Sequence, residues 1–211
     1  MIEILQLPLG PLGTNCYIVG CDETMKAAII DPAWNGPAIM ATADERGWKV
    51  THILLTHSHF DHVGGLAIVK EVAKAPIYIH PDAVAMLSST TMSAALVGLK
   101  VPAPPPPDEM LTDGQVLHVG RLALHTLYTP GHAPGHVCFH VPAYGVVFSG
   151  DLLFQRGIGR TDLPGGDPDR LLQSIKEALF VLPDETQVFS GHGEPTTIGE
   201  ERQENPWLSA L

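Results

Sequence analysis

The stretch Thr56-His57-Ser58-His59-Phe60-Asp61-His62 constrains this chain more than any other. Four metal-type side chains, His57, His59, Asp61 and His62, fall within six residues. Val50–Thr56, rich in apolar and β-branched residues, reads as a buried strand. Downstream, residues 63–74 read as one helix. The ligands therefore sit at a strand-to-helix junction. His57 and His59 face the same way if the chain stays extended there. Asp61 and His62 fall where it turns into the helix, within reach of a second point nearby.

Three later motifs are placed in the same manner. Thr129-Pro130-Gly131-His132, Gly150-Asp151 and Gly191-His192 each follow an apolar, strand-like run. Taken singly, each is an ordinary turn. Together with the first motif they supply five histidines and two aspartates at strand ends. Imidazole and carboxylate suit zinc, manganese or iron, and the lack of a cysteine ligand disfavours a structural zinc knuckle. Seven ligands exceed what one tetrahedral ion takes. They suit two ions sharing a carboxylate, with positions left open for water and substrate.

The rest of the chain frames these turns. Ile2–Leu7 reads as an edge strand, and Asn15–Val19 with Lys26–Ile30 as a hairpin ended by Asp31-Pro32. Residues 36–47 read as a helix stopped by Gly47. A short strand is expected at Pro76–Ile79. Residues 86–100 suggest a helix packed on the core, with a lid as the alternative. Pro102-Ala-Pro-Pro-Pro-Pro107 is a stiff connector, but strand signals resume after it, so a single domain over residues 1–211 is expected. Strands follow at 115–119, 122–129, 136–141 and 145–149, a helix at 169–182, a strand at 187–190 and a short helix at 198–205. Strands then helix, twice over, suggest two similar sheets packed between helices.

Acidic residues outnumber basic ones 23 to 12, which speaks against nucleic acid or an anionic membrane as partner. No signal peptide or membrane-spanning run is expected, and Cys16, Cys21 and Cys138 suggest no disulfide framework. A cytoplasmic setting with reduced thiols follows.

The motifs T-H-S-H-F-D-H, T-P-G-H, S-G-D and S-G-H, in this order, resemble the metallo-β-lactamase superfamily. N-C-Y-I-V and I-I-D-P resemble its opening hairpin. The resemblance implies an α/β fold, a four-layer αββα sandwich. It also implies one ion on His57, His59 and His132, a second on Asp61, His62 and His192, and Asp151 bridging them. The ions would be zinc, with iron or manganese also suited to the donors. Asp31 would support the site or simply end its strand. His136 is expected to be a strand residue or a partner of a ligand.

Within the superfamily the chain is most similar to the glyoxalase II-like branch, the hydroxyacylglutathione hydrolases. This rests on T-P-G-H-A-P-G-H at 129–136, G-D-L-L-F at 150–154, G-I-G-R-T-D at 157–162, G-H-G-E-P-T-T-I-G-E-E at 191–201, and Glu201, Asn205 and Pro206. Arg160 stands where that branch places a cation for glutathione. The branch's C-terminal helical domain and the aromatic residue of its Arg160-equivalent loop are absent from this sequence, which separates glutathione specificity from the hydrolysis itself. The expected reaction is hydrolysis of an acyl thioester by a hydroxide held between the ions, with Asp151 uniting the pair and Asp61 orienting or accepting the proton. The alternative is a mononuclear-iron persulfide dioxygenase using His57, His132 and Asp151, whose family has a similar G-x-G-R-T-D loop. A metal-stabilised binding module, a β-lactamase and a nuclease fit less of the sequence.

Overall fold

Three strands open the chain as an antiparallel meander: β1 (Ile2–Leu9), β2 (Thr14–Cys21) and β3 (Lys26–Ile30). β2 is buried along its whole length, as its apolar and small residues permit. The sheet then grows by parallel addition of β4 (Lys49–Leu54), β5 (Ile77–Ile79) and β6 (Glu109–Met110), in the order β1-β2-β3-β4-β5-β6. Parallel neighbours need crossovers. Helix α1 (Gly36–Glu45) connects β3 to β4, while α2 (Phe60–Val63) and α3 (Leu66–Ala73) connect β4 to β5. Ile18, Ile29, Ile39, Ile53, Leu66 and Ile77 lead the core.

Two expected helices are broken. The helix over 63–74 divides at Gly64-Gly65, where the Gly65 N–H leaves the helical ladder to bond the Pro32 carbonyl at 2.8 Å. Residues 86–100 take in the end of α4 (Val84–Leu87) and the whole of α5 (Thr90–Leu96) rather than one helix. Leu87, Thr90 and Ala94 are buried there, and Met92, Leu96 and Val97 are exposed. The proline connector runs without helix or strand into β6, a strand the sequence reading did not anticipate.

A second six-stranded sheet has the order β14-β13-β10-β9-β8-β7. Its strands are β7 (Val116–Val119), β8 (Leu122–Tyr128), β9 (Val137–Val141), β10 (Val146–Gly150), β13 (Gln187–Ser190) and β14 (Thr196–Thr197). Between β10 and β13 lie a small hairpin, β11 (Leu153–Phe154) with β12 (Gly157–Ile158), and helix α6 (Pro168–Ser174). Helix α6 is capped by the Asp167 side chain and continues as a π-helical turn over Ile175–Leu179. Helix α7 (Ile198–Glu204) follows β14. Cys138, Val147, Leu171, Ile175, Val188 and Ile198 pack together here.

The computed structural model describes residues 1–209. Their contacts fall into two units. The first is residues 1–111 with 118–122, and the second is residues 112–117 with 123–209. Among the described residues no helix is long and apolar enough to cross a membrane.

Candidate metal centre

In the first unit the ligand-type residues occupy the junction between β4 and α2. Asp31, just past β3, takes a left-handed φ of +49°, which aspartate tolerates better than most residues. Its N–H bonds the Leu54 carbonyl at 2.9 Å, fastening it beside the end of β4. The buried carboxylate accepts from the Thr56 N–H at 2.8 Å and the Thr56 hydroxyl at 2.6 Å, and its Oδ2 lies 2.9 Å from His62 Nδ1. An ionised carboxylate only accepts, so His62 holds its proton on Nδ1 and keeps a lone pair on Nε2. The Thr56 hydroxyl has given its hydrogen to Asp31, so it accepts from His57 Nδ1 at 3.0 Å. His57 therefore also presents an Nε2 lone pair. One aspartate sets two tautomers, as acidic partners of metal-binding histidines do. Asp31, His57 and His62 offer donor atoms within 4.8 Å of one another, but the Asp31 oxygen faces an Nδ1–H, which makes it a support.

The remaining atoms pair closely. His57 Nε2 lies 3.1 Å from His59 Nδ1, and His62 Nε2 lies 3.5 Å from Asp61 Oδ2. That Asp61 oxygen accepts from the buried Thr14 hydroxyl at 2.8 Å.

In the second unit His132, Asp151 and His192 form a matching set. Asp151 Oδ2 is 3.5 Å from both His132 Nε2 and His192 Nε2. The turn that presents His132 is fastened to α6. Gly131 accepts from the Asp167 N–H at 2.7 Å, and Pro130 from the Ser174 hydroxyl at 2.6 Å. Gly131, with φ +138°, comes so close to α6 that a Cβ would lie 2.3 Å from Leu171 backbone atoms. Only glycine fits. His132 Nδ1 donates to the Arg160 carbonyl at 2.8 Å, which again leaves Nε2 with its lone pair. The turns carrying Asp151 and His192 are joined by the Gly191 N–H to the Gly150 carbonyl at 2.7 Å.

His136 supports this set, and its ring is satisfied at both nitrogens. Its Nε2 accepts from the Asp151 N–H at 3.2 Å, so its Nδ1 donates to the Thr129 hydroxyl at 2.9 Å. The three cysteines are buried, and none is in a disulfide. Burial, reinforced by the Asp31 charge, raises the Cys16 pKa far above the ordinary thiol value, which makes it inert.

The donor chemistry fits a metal. Two ligands on one tetrahedral ion, each about 2.0–2.2 Å from it, stand roughly 3.3–3.6 Å apart. The four donor pairs, two in each unit, lie 3.1–3.5 Å apart. His57, His62 and His132 each turn a lone pair toward the neighbouring donor. His59, Asp61, Asp151 and His192 complete the residues able to hold ions.

Arg160 contributes more than the sequence suggested. Its carbonyl holds His132, while its exposed guanidinium forks onto Asp162 at 2.7 and 2.8 Å. The support from Thr14 was not foreseen. Its only sequence signal is its place at the head of the Asn-Cys-Tyr strand.

The comparisons with known proteins agree with this chemistry. The family model described as the metallo-beta-lactamase superfamily matches residues 9–192. The chain belongs to that superfamily of metallohydrolases and has its fold, as the sequence motifs led one to expect. Among curated relatives, the "Probable metallo-hydrolase YqgX" of Bacillus subtilis is 42% identical, with 98% of this chain and 97% of the relative covered. The "Hydroxyacylglutathione hydrolase GloC" of Haemophilus influenzae is 36% identical, with 99% and 98% covered. Among solved structures, the BLEG-1 B3 metallo-beta-lactamase has a TM-score of 0.92 at 39% identity, covering 98% of this chain and 100% of that one. TTHA1623 in a di-iron-bound form has a TM-score of 0.90 at 42% identity, covering 97% and 100%.

Proposed function

We propose that the chain is a binuclear metal-dependent hydrolase of acyl thioesters, of which hydroxyacylglutathione is one example. The two units would work as one domain over residues 1–211. His57, His59 and His132 would hold one divalent ion, and Asp61, His62 and His192 a second, with Asp151 shared between them. The observation that carries this reading is the position of Asp151 Oδ2, 3.5 Å from the Nε2 atoms of both His132 and His192. Seven donors exceed what one tetrahedral ion takes, and a carboxylate oxygen close to two imidazoles can be shared by an ion on each. The likeness to the hydroxyacylglutathione hydrolase relative supports the substrate class.

When bound, such ions make water acidic enough to ionise near neutral pH and polarise a carbonyl oxygen. The chain's own residues do the rest. Asp31, Thr56 and the Arg160 carbonyl keep three histidines in the ligating tautomer. Asp61, steadied by Thr14, orients the attacking group or takes its proton. Arg160 offers a cation for a carboxylate on the thiol carrier. A thiolate leaves readily, so no separate strong acid is needed. Zinc suits the donors, and iron suits them too, as the di-iron relative illustrates. A small-molecule substrate and a cytoplasmic setting fit the acidic chain and its three buried thiols, none of them in a disulfide, with no nucleic-acid or membrane partner.

The test is elemental analysis of protein purified without added metal, followed by thiol release from a thioester panel. About two divalent ions per chain and chelator-sensitive thiol release are expected. About one iron per chain, with oxygen uptake on glutathione persulfide, would replace this reading with the dioxygenase. Faster turnover of β-lactams than of any thioester would replace it with a lactamase.

A further inference from the structure

Helix α7 carries a buried carboxylate outside the ligand set. Glu201 is 1% exposed and accepts three hydrogen bonds. The donors are the Thr196 hydroxyl at 2.6 Å, the Arg156 N–H at 2.8 Å and Asn205 Nδ2 at 2.7 Å. Asn205 Nδ2 also donates to the Gly157 carbonyl at 3.1 Å. The two residues grip the turn of the β11–β12 hairpin by an N–H and a C=O. That hairpin needs a grip. Each of its strands is two residues long, too short to persist alone. Its turn residue Arg156 sits at φ +54°, a left-handed conformation that costs an arginine free energy. The sequence separation between grip and turn is 45 residues, so the turn's shape is set by tertiary contact.

The hairpin and the two residues that follow it reach both histidines near Asp151. The Phe154 ring meets the His192 ring edge-on, with centroids 6.1 Å apart. On the other side, the Gly159 N–H bonds the Leu152 carbonyl at 3.2 Å, and the next residue's carbonyl, on Arg160, accepts from His132 Nδ1. Gly159 fits so tightly that a Cβ there would lie 1.9 Å from the Asp151 carbonyl oxygen and 3.1 Å from His132 Nδ1. A small shift of this segment therefore reaches the ligands.

We propose that Glu201 and Asn205 are positioning residues for His132 and His192, with α7 clamping the hairpin and the hairpin holding the two imidazoles. This rests on reading those histidines as metal ligands. Without the clamp, the Arg156 turn relaxes and the Arg160 carbonyl withdraws from His132. The His132 proton then spreads over both ring nitrogens and competes with metal for Nε2.

The experiment compares Glu201→Ala, Glu201→Gln and Leu179→Ala in the full chain. Leu179 is a buried core residue of the same unit that makes none of the clamp's hydrogen bonds. Nitrogen-15 imidazole spectra of metal-stripped protein report the His132 tautomer. Competition with a chromophoric chelator reports zinc affinity. Glu201→Ala is expected to mix the His132 tautomers and weaken zinc about tenfold. Glu201→Gln is expected to stay near the parent, because its amide oxygen still serves Arg156 and Asn205 while its nitrogen faces the Thr196 hydroxyl. Leu179→Ala is expected to lower the Tm and leave both readouts alone. Parental tautomer and affinity in Glu201→Ala would overturn the proposal, as would an equal loss in Leu179→Ala at matched Tm. If Glu201→Ala does not fold, Thr196→Val removes one of the three donors and gives the same comparison at smaller amplitude. Neither readout needs turnover, so failure of the thioesterase reading and failure of the clamp are separate results.

Discussion

The Thr14 hydroxyl donates to Asp61 Oδ2 at 2.8 Å, joining the first residue of β2 to the first turn of α2. Both residues are buried. Hydrogen bonds to charged groups contribute about 1.5–3 kcal/mol. Thr14→Val keeps the shape and removes the donor. It is expected to lower kcat/KM for a thioester roughly 10- to 100-fold, with Thr14→Ser near the parent. Steady-state kinetics of the three proteins check this, and parental turnover in Thr14→Val would remove Thr14 from the account.

Gly131 is held for a steric reason. A Cβ there would meet Leu171 backbone at 2.3 Å, at a φ of +138° that side chains rarely adopt. Gly131→Ala is expected to cost about 2 kcal/mol or more, because helix α6 must move or the His132 turn must. Chemical denaturation measures the loss, and metal analysis should show fewer ions per chain. An alanine variant with parental stability and metal content would show that the turn has room to shift.

Such contacts explain what the sequence could and could not disclose. The main strands were legible because their apolar residues are continuous and their ends carry Gly, Pro or Asp. The ligand turns were legible because each closes such a strand. Helix continuity across Gly64-Gly65 was misread, since the Gly65 N–H is taken by Pro32, a partner distant in sequence. Hairpin β11–β12 was missed because two-residue strands carry no periodicity and their turn is held from α7. His136 was expected to be a strand residue or a partner of a ligand; it stands just before β9 and accepts from the Asp151 N–H. The Arg160 carbonyl was invisible in advance, since a backbone acceptor leaves no trace in residue type.

Stability should depend on pH at the end of the proline connector. Asp108 accepts from Lys70 Nζ at 2.6 Å and from the Ile77 N–H at 2.8 Å. The lysine first, and the amide second, hold its carboxyl below the ordinary aspartate pKa. A depressed folded pKa gives stability that is present above the unfolded value, about 3.9, and lost as pH falls through the folded one. The Asp108 side chain is 40% exposed, so solvent screening limits the pair to about 1 kcal/mol. Asp108→Asn should therefore be less stable than the parent near pH 7. The two should converge as pH falls below the unfolded value and through the depressed folded one. Urea denaturation at several pH values tests this, and a constant difference down to acid would refute it.

Arg160 offers its cation only in competition with Asp162. The bidentate bond draws the Asp162 pKa down to about 2, so the pair is fully charged at any practical assay pH. A carboxylate on the thiol carrier would have to displace that aspartate. Exposed pairs of this kind are weakened by solvent and salt, so displacement is easy and its removal should help binding modestly. Asp162→Asn is expected to lower KM roughly two- to fivefold for a thioester on a carboxylate-bearing thiol, with kcat unchanged. It should leave a neutral thioester of the same acyl group untouched. Arg160→Gln should raise KM for the anionic thioester alone, because the backbone carbonyl that holds His132 survives the substitution. If Asp162→Asn shifts both substrates equally, or neither, Arg160 is a surface residue whose contribution to the site is its carbonyl.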